Sequence, residues 1–238
     1  MFVQYYDRII KGTENEDSHV ITQFFKTMVG KQFSLLNYYK EIPVSYDARL
    51  LSVENEMAEF EVHDYQAKVI TMERKCMIHA HEKSPFREDM IAEAFYVNIA
   101  KKRVVLCKFG YAKIRSDMRR FVRVVLDTPV CADLIMDNDI LGATIIDISL
   151  GGVAMKVNDA DGIIPGNDYN VFLKLPNPAN NEILEVGLTA TVIKILGDTP
   201  PYKCVLDFHP EKHSQQQIAF FINQRQVEII KELKDLVV

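Results

Sequence analysis

From Ile42 to Phe208 the sequence alternates apolar and polar residues over short segments separated by turn-forming residues. A period of two is typical of β-strands with one buried face, and many short strands at hairpin spacing indicate small antiparallel barrels. Six such segments precede Gly110, at 44–53, 57–63, 67–72, 76–81, 91–97 and 103–109. Seven follow it, at 122–126, 130–136, 141–149, 153–157, 169–175, 183–196 and 202–208. The sequence therefore predicts a mainly β protein with two small antiparallel β-barrel domains.

The two ends of the chain differ from this pattern. Residues 1–18 are polar and predict an arm that ends in a helix N-cap, and apolar spacings in 19–39 predict two short helices around Gly30. After Pro210, apolar residues at helical spacing predict a C-terminal helix. Its apolar stripe, which includes Ile218, Phe221, Ile222, Ile229, Ile230 and Leu233, would pack on the barrel or on a second copy of the chain, so a homo-oligomer stays open.

The expected domain organisation follows from these segments. Residues 1–40 form an N-terminal arm and helix, and 41–110 form the first barrel, a split β-barrel. Residues 111–118 are small or charged and form a linker, which would act as a hinge. Residues 119–238 form the second barrel with its C-terminal helix.

Length and composition exclude several classes of protein. A chain of 238 residues with 48% hydrophobic residues suits two soluble domains with real cores. The N-terminus has no signal-peptide pattern, and no uncharged apolar run approaches the roughly 20 residues that span a bilayer. We therefore expect a cytoplasmic protein without membrane insertion. The net charge of −5 argues against nucleic acid as the main partner.

The sequence contains no recognisable catalytic or metal-binding motif. It has no phosphate-binding loop, nucleophile elbow or His-Glu-x-x-His. The four cysteines are scattered through strand-like segments and are interpreted as buried thiols, while His79/His81 and His209/His213 each lack a third ligand nearby. We therefore expect no enzyme activity, no cofactor and no metal.

One segment is strongly basic. Between Lys113 and Arg123 there are five cationic residues and one anionic residue, a local charge of +4. If the segment is extended, Val122 and Val124 face the core, whereas Arg119 and Arg123 share the opposite face with Phe121, the two arginines being roughly 13 Å apart. A guanidinium group matches a phosphate or the O6/N7 edge of guanine. A small anion could therefore bind here.

A second segment, Ile146–Gly152, has the complementary chemistry. If Ile146, Ile148 and Leu150 form a buried face, Asp147 and Ser149 lie side by side on the other face, roughly 7 Å apart. Their oxygens can accept the N1–H and N2–H₂ donors of a guanine. The following glycines, Gly151 and Gly152, permit positive φ and close approach of a ligand to the backbone.

Taken together, the two segments resemble a known domain. Arg119-x-x-x-Arg123, followed after 23 residues by Asp147-x-Ser149-x-x-Gly152, resembles the PilZ domain, a bacterial receptor module for cyclic di-GMP. The resemblance extends from Met118 to about Leu233. The pattern of residues 35–110 is similar to the β domain that precedes PilZ in flagellar-brake-type proteins.

The resemblance implies a set of site residues. The arginines would contact guanine edges and phosphates and the second motif would contact guanine, so the expected ligand-binding residues are Arg119, Arg120, Arg123, Asp147, Ser149 and Gly152. Many relatives have a glycine where this chain has Cys204-Val205. The number of bound ligand molecules, one or two, therefore stays open.

The expected function follows from the resemblance. It implies a cyclic di-GMP receptor that changes its domain arrangement on binding to regulate motility, surface or biofilm behaviour, with a protein partner such as a flagellar motor component. The alternative is a protein-interaction or structural module with a non-functional nucleotide site. A single-stranded nucleic-acid binder is disfavoured by the acidic total charge.

Overall fold

The computed structural model describes residues 5–80, 86–115, 120–136, 139–177 and 182–236. Within these ranges the helices are α1 (Glu14–Lys26), α2 (Asp64–Glu73) and α3 (Lys212–Asp235). The strands of the N-terminal half are β1 (Tyr6–Ile9), β2 (Gln32–Tyr39), β3 (Ile42–Glu54), β4 (Met57–Glu61), β5 (Lys75–His79), β6 (Met90–Asn98) and β7 (Arg103–Ile114). Those of the C-terminal half are β8 (Arg123–Met136), β9 (Asp139–Ser149), β10 (Gly152–Val157), β11 (Asp168–Pro176), β12 (Ile183–Leu196) and β13 (Tyr202–His209).

The chain divides into two compact units. The first contains β1–β7, α1, α2 and the end of α3 from Lys231; the second contains Lys40–Ile42, β8–β13 and α3 up to Ile230. Each unit contains one six-stranded antiparallel barrel. The predicted fold class, mainly β with two small antiparallel barrels, is confirmed.

In the first unit the strand order β7-β4-β3-β2-β5-β6 is closed by pairing between β6 and β7, and β1 adds to the edge of β7. The centre of this barrel is aromatic. The ring of Phe25 on α1 makes edge-on contacts with Phe33, Phe60 and Phe109, with ring centroids 5.1–6.1 Å apart. All four rings are fully buried. Such edge-to-face contacts add stability beyond area burial, so α1 closes the core of this barrel.

Three predictions for the N-terminal half are wrong. The polar arm contains a strand, β1, and α1 begins at Glu14 with Thr13 as its N-cap in a capping box with Glu16. The expected second helix is instead strand β2, which follows Gly30 at a φ of +86°. Residues 67–72, expected to form a strand, belong to α2, which ends at the left-handed C-cap Arg74.

The end of β7 overlaps the expected linker. The strand continues through Ile114, and residues 111–114 pair with β1. Ala112 and Ile114 are buried. The first four residues of the segment 111–118 are thus part of the first barrel's sheet.

In the second unit the order β10-β13-β12-β11-β8-β9 forms a closed barrel. It has six strands rather than the seven expected, because residues 123–126 and 130–136, from two predicted segments, belong to the single strand β8. The β8–β9 register shifts between Val125 and Val130, a stretch that contains Asp127-Thr128-Pro129. Since proline cannot donate a ladder hydrogen bond, an irregularity at this point is expected.

Helix α3 confirms the predicted C-terminal helix. Ile218, Phe221, Ile222 and Ile229 are buried, with at most 7% of any of these side chains exposed. Ile230, which was placed on the same stripe, is exposed instead. Its position one residue after the buried Ile229 puts it about 100° around the helix, outside the buried stripe.

Candidate functional site

The register of the second barrel brings the two sequence segments together. Arg123, the first residue of β8, is paired with Ser149 at the end of β9. Ser149 is in turn paired with Gly152 on β10, and Gly152 with Asp207 on β13. Residues paired across antiparallel strands point to the same face, with Cα atoms about 4.5–5.5 Å apart. Arg123, Ser149 and Gly152 therefore form one transverse row on the outer face of the barrel.

Asp147 lies on the same face, two residues before Ser149. Ile148 between them is fully buried, so the predicted alternation is correct at this point. It fails one residue earlier: the β9–β10 register shifts between Ala154 and Met155, and Ile145 rather than Ile146 enters the core. This β-bulge could not be read from alternation alone.

Ser149 is nearly buried, with 8% of its surface exposed. Its hydroxyl donates a hydrogen bond to the backbone carbonyl oxygen of Gly152 at 3.3 Å. A hydroxyl has one proton but two lone pairs, so Ser149 Oγ keeps its capacity to accept a hydrogen bond. The side chain thus stabilises the β9–β10 turn and can still accept from a ligand.

The glycines of this turn have a different role from the one expected. Neither Gly151 nor Gly152 is among the positive-φ residues of the described chain. A Cβ added at Gly152 would lie 2.3 Å from the backbone carbonyl oxygen of Leu206, and one at Gly151 would lie 2.8 Å from Cδ2 of Phe121. Close approach of β13 and of the Phe121 ring, rather than left-handed backbone, therefore requires these glycines.

The structure describes two of the three candidate arginines of the first segment. Arg119 lies outside the described residues. Arg120 is exposed, with its guanidinium carbon 5.4 Å from the centroid of the Phe121 ring, and Arg123 is half-buried. Val122 was predicted to face the core, but it is 41% exposed because β8 begins only at Arg123. Val124 is fully buried, as predicted.

A protein-family model matches the part of the chain that contains these residues. Residues 117–224 match the PilZ domain family. This chain contains a PilZ domain. No curated protein matches the sequence significantly.

Several solved structures are similar to most of the chain. The inhibitor of motility MotI/DgrA of Bacillus subtilis is 16% identical, with 84% of this chain and 97% of that chain covered and a TM-score of 0.42. YcgR of Escherichia coli in complex with c-di-GMP is 10% identical, with 98% and 97% covered and a TM-score of 0.43. The MrkH–c-di-GMP complex of K. pneumonia is 14% identical, with 90% and 96% covered and a TM-score of 0.42.

Two cationic residues of the second unit were missed by sequence reasoning. Lys203 on β13 has its ammonium nitrogen 3.8 Å from Oδ2 of Asp147. Arg225 on α3 is 13% exposed and donates to the carbonyl oxygen of Val125 at 3.4 Å, to Glu228 at 3.0 Å and to Asp127. Neither belongs to a motif. The pattern around Arg225 predicted a helix, but not that it would contact β8.

The charges of Lys40 and Arg225 lower the pKa of the Asp127 carboxylate. Burial tends to raise the pKa of Asp127, but the hydrogen bond and charge of Lys40, together with Arg225, outweigh it and lower the pKa below its ordinary value. Asp127 is therefore ionised at neutral pH. Its ion pair with Arg225 joins α3 to β8 four residues after Arg123.

Other titratable side chains of the described chain form different arrangements. In the described ranges no group of three or more His, Cys, Asp or Glu residues could hold a metal ion. His79 pairs with Asp89 at 3.0 Å, and His81 lies outside the described residues.

Cys76 and Cys204 are buried as expected, but Cys131 is exposed because it faces outward from β8. Across the part of the chain that the structure describes, we find no helix with the length and apolar character to cross a membrane.

Proposed function

We propose that this protein is a receptor for cyclic di-GMP and that the outer row of its PilZ domain holds the ligand. The observation that carries the proposal is the pairing of Arg123 with Ser149, residues 26 positions apart in the sequence. It places a guanidinium donor and a hydroxyl acceptor side by side. A guanine nucleotide needs both kinds of group, because its base has donors on one edge and acceptors on another.

Each candidate residue has a role in this proposal. Asp147 and Ser149 accept hydrogen bonds from N1–H and N2–H₂ of one guanine. Arg119, Arg120 and Arg123 supply guanidinium groups for phosphate oxygens and for the O6/N7 edge. Gly152 lets β10 approach β13 and so fixes the row. The ligand is a signal and not a substrate, and we assign no catalytic residue.

We infer that binding changes the arrangement of the two barrels. In the sequence, Arg119 and Arg120 follow β7, the last strand of the first barrel, and Arg123 is the first residue of β8 in the second. A ligand that holds these arginines would select one conformation of the connecting segment. The receptor would act in the cytoplasm. Its output would be regulation of motility, surface or biofilm behaviour through a partner such as a flagellar motor component.

Titration calorimetry with cyclic di-GMP tests the proposal. Arg123→Ala should weaken binding by roughly 2–5 kcal/mol, about 30- to 5,000-fold, if the guanidinium pairs with a phosphate away from water. Arg49→Ala is the control, because it removes the same charge from an exposed ion pair on the first barrel. Equal affinities of the two variants would refute the role of Arg123. Small-angle scattering with and without ligand tests the change in domain arrangement, and an unchanged profile at saturation would contradict it.

One observation favours a second candidate function, a protein-interaction module with a non-functional nucleotide site. Phe220, Val227 and Ile230 on α3 are 44–47% exposed. Large apolar side chains grouped at a surface are typical of interaction sites. This candidate predicts no heat with cyclic di-GMP, together with an oligomer or a captured partner that is lost in Phe220→Ser.

A further inference from the structure

Lys203 is close to Asp147 although the two lie on strands that do not pair with each other. Strand β10 runs between them, and Ala154 on β10 pairs with Asp147 on one side and with Val205 on the other. Lys203 is two residues from Val205, and the intervening Cys204 is fully buried. The lysine therefore points to the same outer face as Asp147 and crosses β10 to reach it.

The distance between the two charges is informative. The ammonium nitrogen of Lys203 lies 3.8 Å from Oδ2 of Asp147, close enough for attraction but longer than a hydrogen bond. The Lys203 side chain is 36% exposed, whereas that of Asp147 is 14% exposed. An ammonium group has three donors and no acceptor. Lys203 thus holds a cationic donor at the solvent side of a largely covered carboxylate.

A guanine on Asp147 would present an acceptor next to this donor. When the carboxylate accepts from N1–H and N2–H₂, the base atom that follows N1 on the same edge is the carbonyl carbon C6 with its oxygen O6. Adenine has an amino group, a donor, at this position. An ammonium beside the carboxylate therefore fits guanine and opposes adenine.

We propose that Lys203 donates a hydrogen bond to O6 of the guanine held by Asp147, and that it selects guanine over adenine. The inference rests on the proposed function and adds a specificity residue to it. Asp147 reads the donors of the base edge, and Lys203 reads the acceptor beside them. Together they distinguish cyclic di-GMP from cyclic di-AMP.

The chain offers a matched control for Lys203. Lys156 on β10 is directly opposite Lys203 in the β10–β13 register and is exposed. Two like charges directly opposite each other on a sheet are unfavourable, and both attract an anionic ligand non-specifically. Replacing Lys156 with methionine therefore removes the same general attraction without removing the group next to Asp147.

The test compares the affinities of wild type, Lys203→Met, Lys203→Arg and Lys156→Met for three ligands: cyclic di-GMP, cyclic di-AMP and the 6-thioguanine analogue of cyclic di-GMP. The analogue keeps N1–H and N2–H₂ but replaces O6 with sulfur, a weak acceptor. We expect Lys203→Met to weaken cyclic di-GMP binding about 10- to 100-fold, as for a lost hydrogen bond to a charged group. The loss should be under about 3-fold for the analogue, and discrimination against cyclic di-AMP should fall.

The controls make the outcomes distinct. Lys203→Arg should retain most of the affinity, Lys156→Met should weaken the binding of both guanine ligands equally and slightly, and no variant should have a urea midpoint below that of the wild type. Equal losses for cyclic di-GMP and the analogue in Lys203→Met, or equal effects of Lys203→Met and Lys156→Met, would overturn the assignment of Lys203. If wild type itself binds no cyclic di-GMP, the proposed function fails, and this inference with it.

Discussion

Replacing Gly152 with alanine tests the geometry on which the row depends. The new Cβ would lie 2.3 Å from the carbonyl oxygen of Leu206, whereas real Cβ contacts are essentially never under 3.0 Å. Both atoms belong to the backbone framework, so β10 and β13 must separate by roughly 1 Å. Val153 and Leu206, which pair across these strands, are 3% and 2% exposed and would lose contact in the core. We expect a loss of about 3 kcal/mol, at the upper end of the usual range for overpacked cores.

Urea unfolding of the full chain, followed by circular dichroism, measures this loss. At a slope of roughly 1–3 kcal/mol/M, about 3 kcal/mol lowers the midpoint of the second barrel by about 1–3 M. Gly142→Ala is the matched control, because Gly142 lies on β9 of the same barrel and its added Cβ would meet nothing within 4 Å. That change should be neutral or stabilise by up to about 1 kcal/mol. If the two variants share the wild-type midpoint, the close approach of β10 and β13 is wrong.

Two further predictions test the barrels and their charges. Iodoacetamide should modify Cys131 quickly in the native protein and Cys204 slowly, because burial raises the pKa of the Cys204 thiol to about 11. Peptide mass spectrometry measures the two modification rates. Equal rates would contradict the placement of β8 and β13. Asp127→Asn should destabilise the protein by less than about 1 kcal/mol at pH 7, since the pair with Arg225 is partly exposed. Because the folded-state pKa of Asp127 is lowered, the stability that its carboxylate contributes is present above the unfolded-state pKa and is lost as the pH falls below about 4. The urea midpoints of the wild type and of Asp127→Asn should therefore differ at pH 7 and converge below about pH 4.

The sequence predicts the second barrel better than the first, for a physical reason. Strands such as β12 have one core face and one solvent face, so Val186, Leu188 and Ala190 alternate with polar or exposed residues. In the first unit, β2 is buried at Leu35 and again at Leu36, and α2 is too short to show a helical period. Periodicity cannot separate helix from strand in short apolar runs of this kind. These are the segments where the predictions are wrong.

Periodicity alone predicts the candidate site only where its residues lie on one strand, and the resemblance to PilZ was needed to group Arg123 with Asp147 and Ser149. Alternation places Asp147 and Ser149 on one face from the sequence alone. The neighbourhood of Lys203 depends on how β13 is staggered against β9 across β10, which is fixed by closure of the barrel. Arg225 depends on how α3 packs against β8. Neither relation leaves a local signal in the sequence.

Substitutions of the motif residues should therefore have two different effects. Those at Gly152 or Ser149 should change the folded structure, whereas substitution of Arg123 should change ligand binding alone. The carbonyl oxygen of Leu206 leaves no room for a side chain at Gly152, and the Ser149 hydroxyl donates a hydrogen bond to the Gly152 carbonyl oxygen. Substitutions at either position therefore alter the β9–β10 turn before any ligand is present. Arg123 is half-buried at the start of β8 and faces outward, so its removal should leave the barrel intact. Weak binding by Gly152→Ala would reflect lost folding, whereas weak binding by Arg123→Ala at an unchanged urea midpoint would report a ligand contact. Affinity and stability must be measured on the same variants, because only their comparison separates the loss of a ligand contact from the loss of the folded structure that positions it.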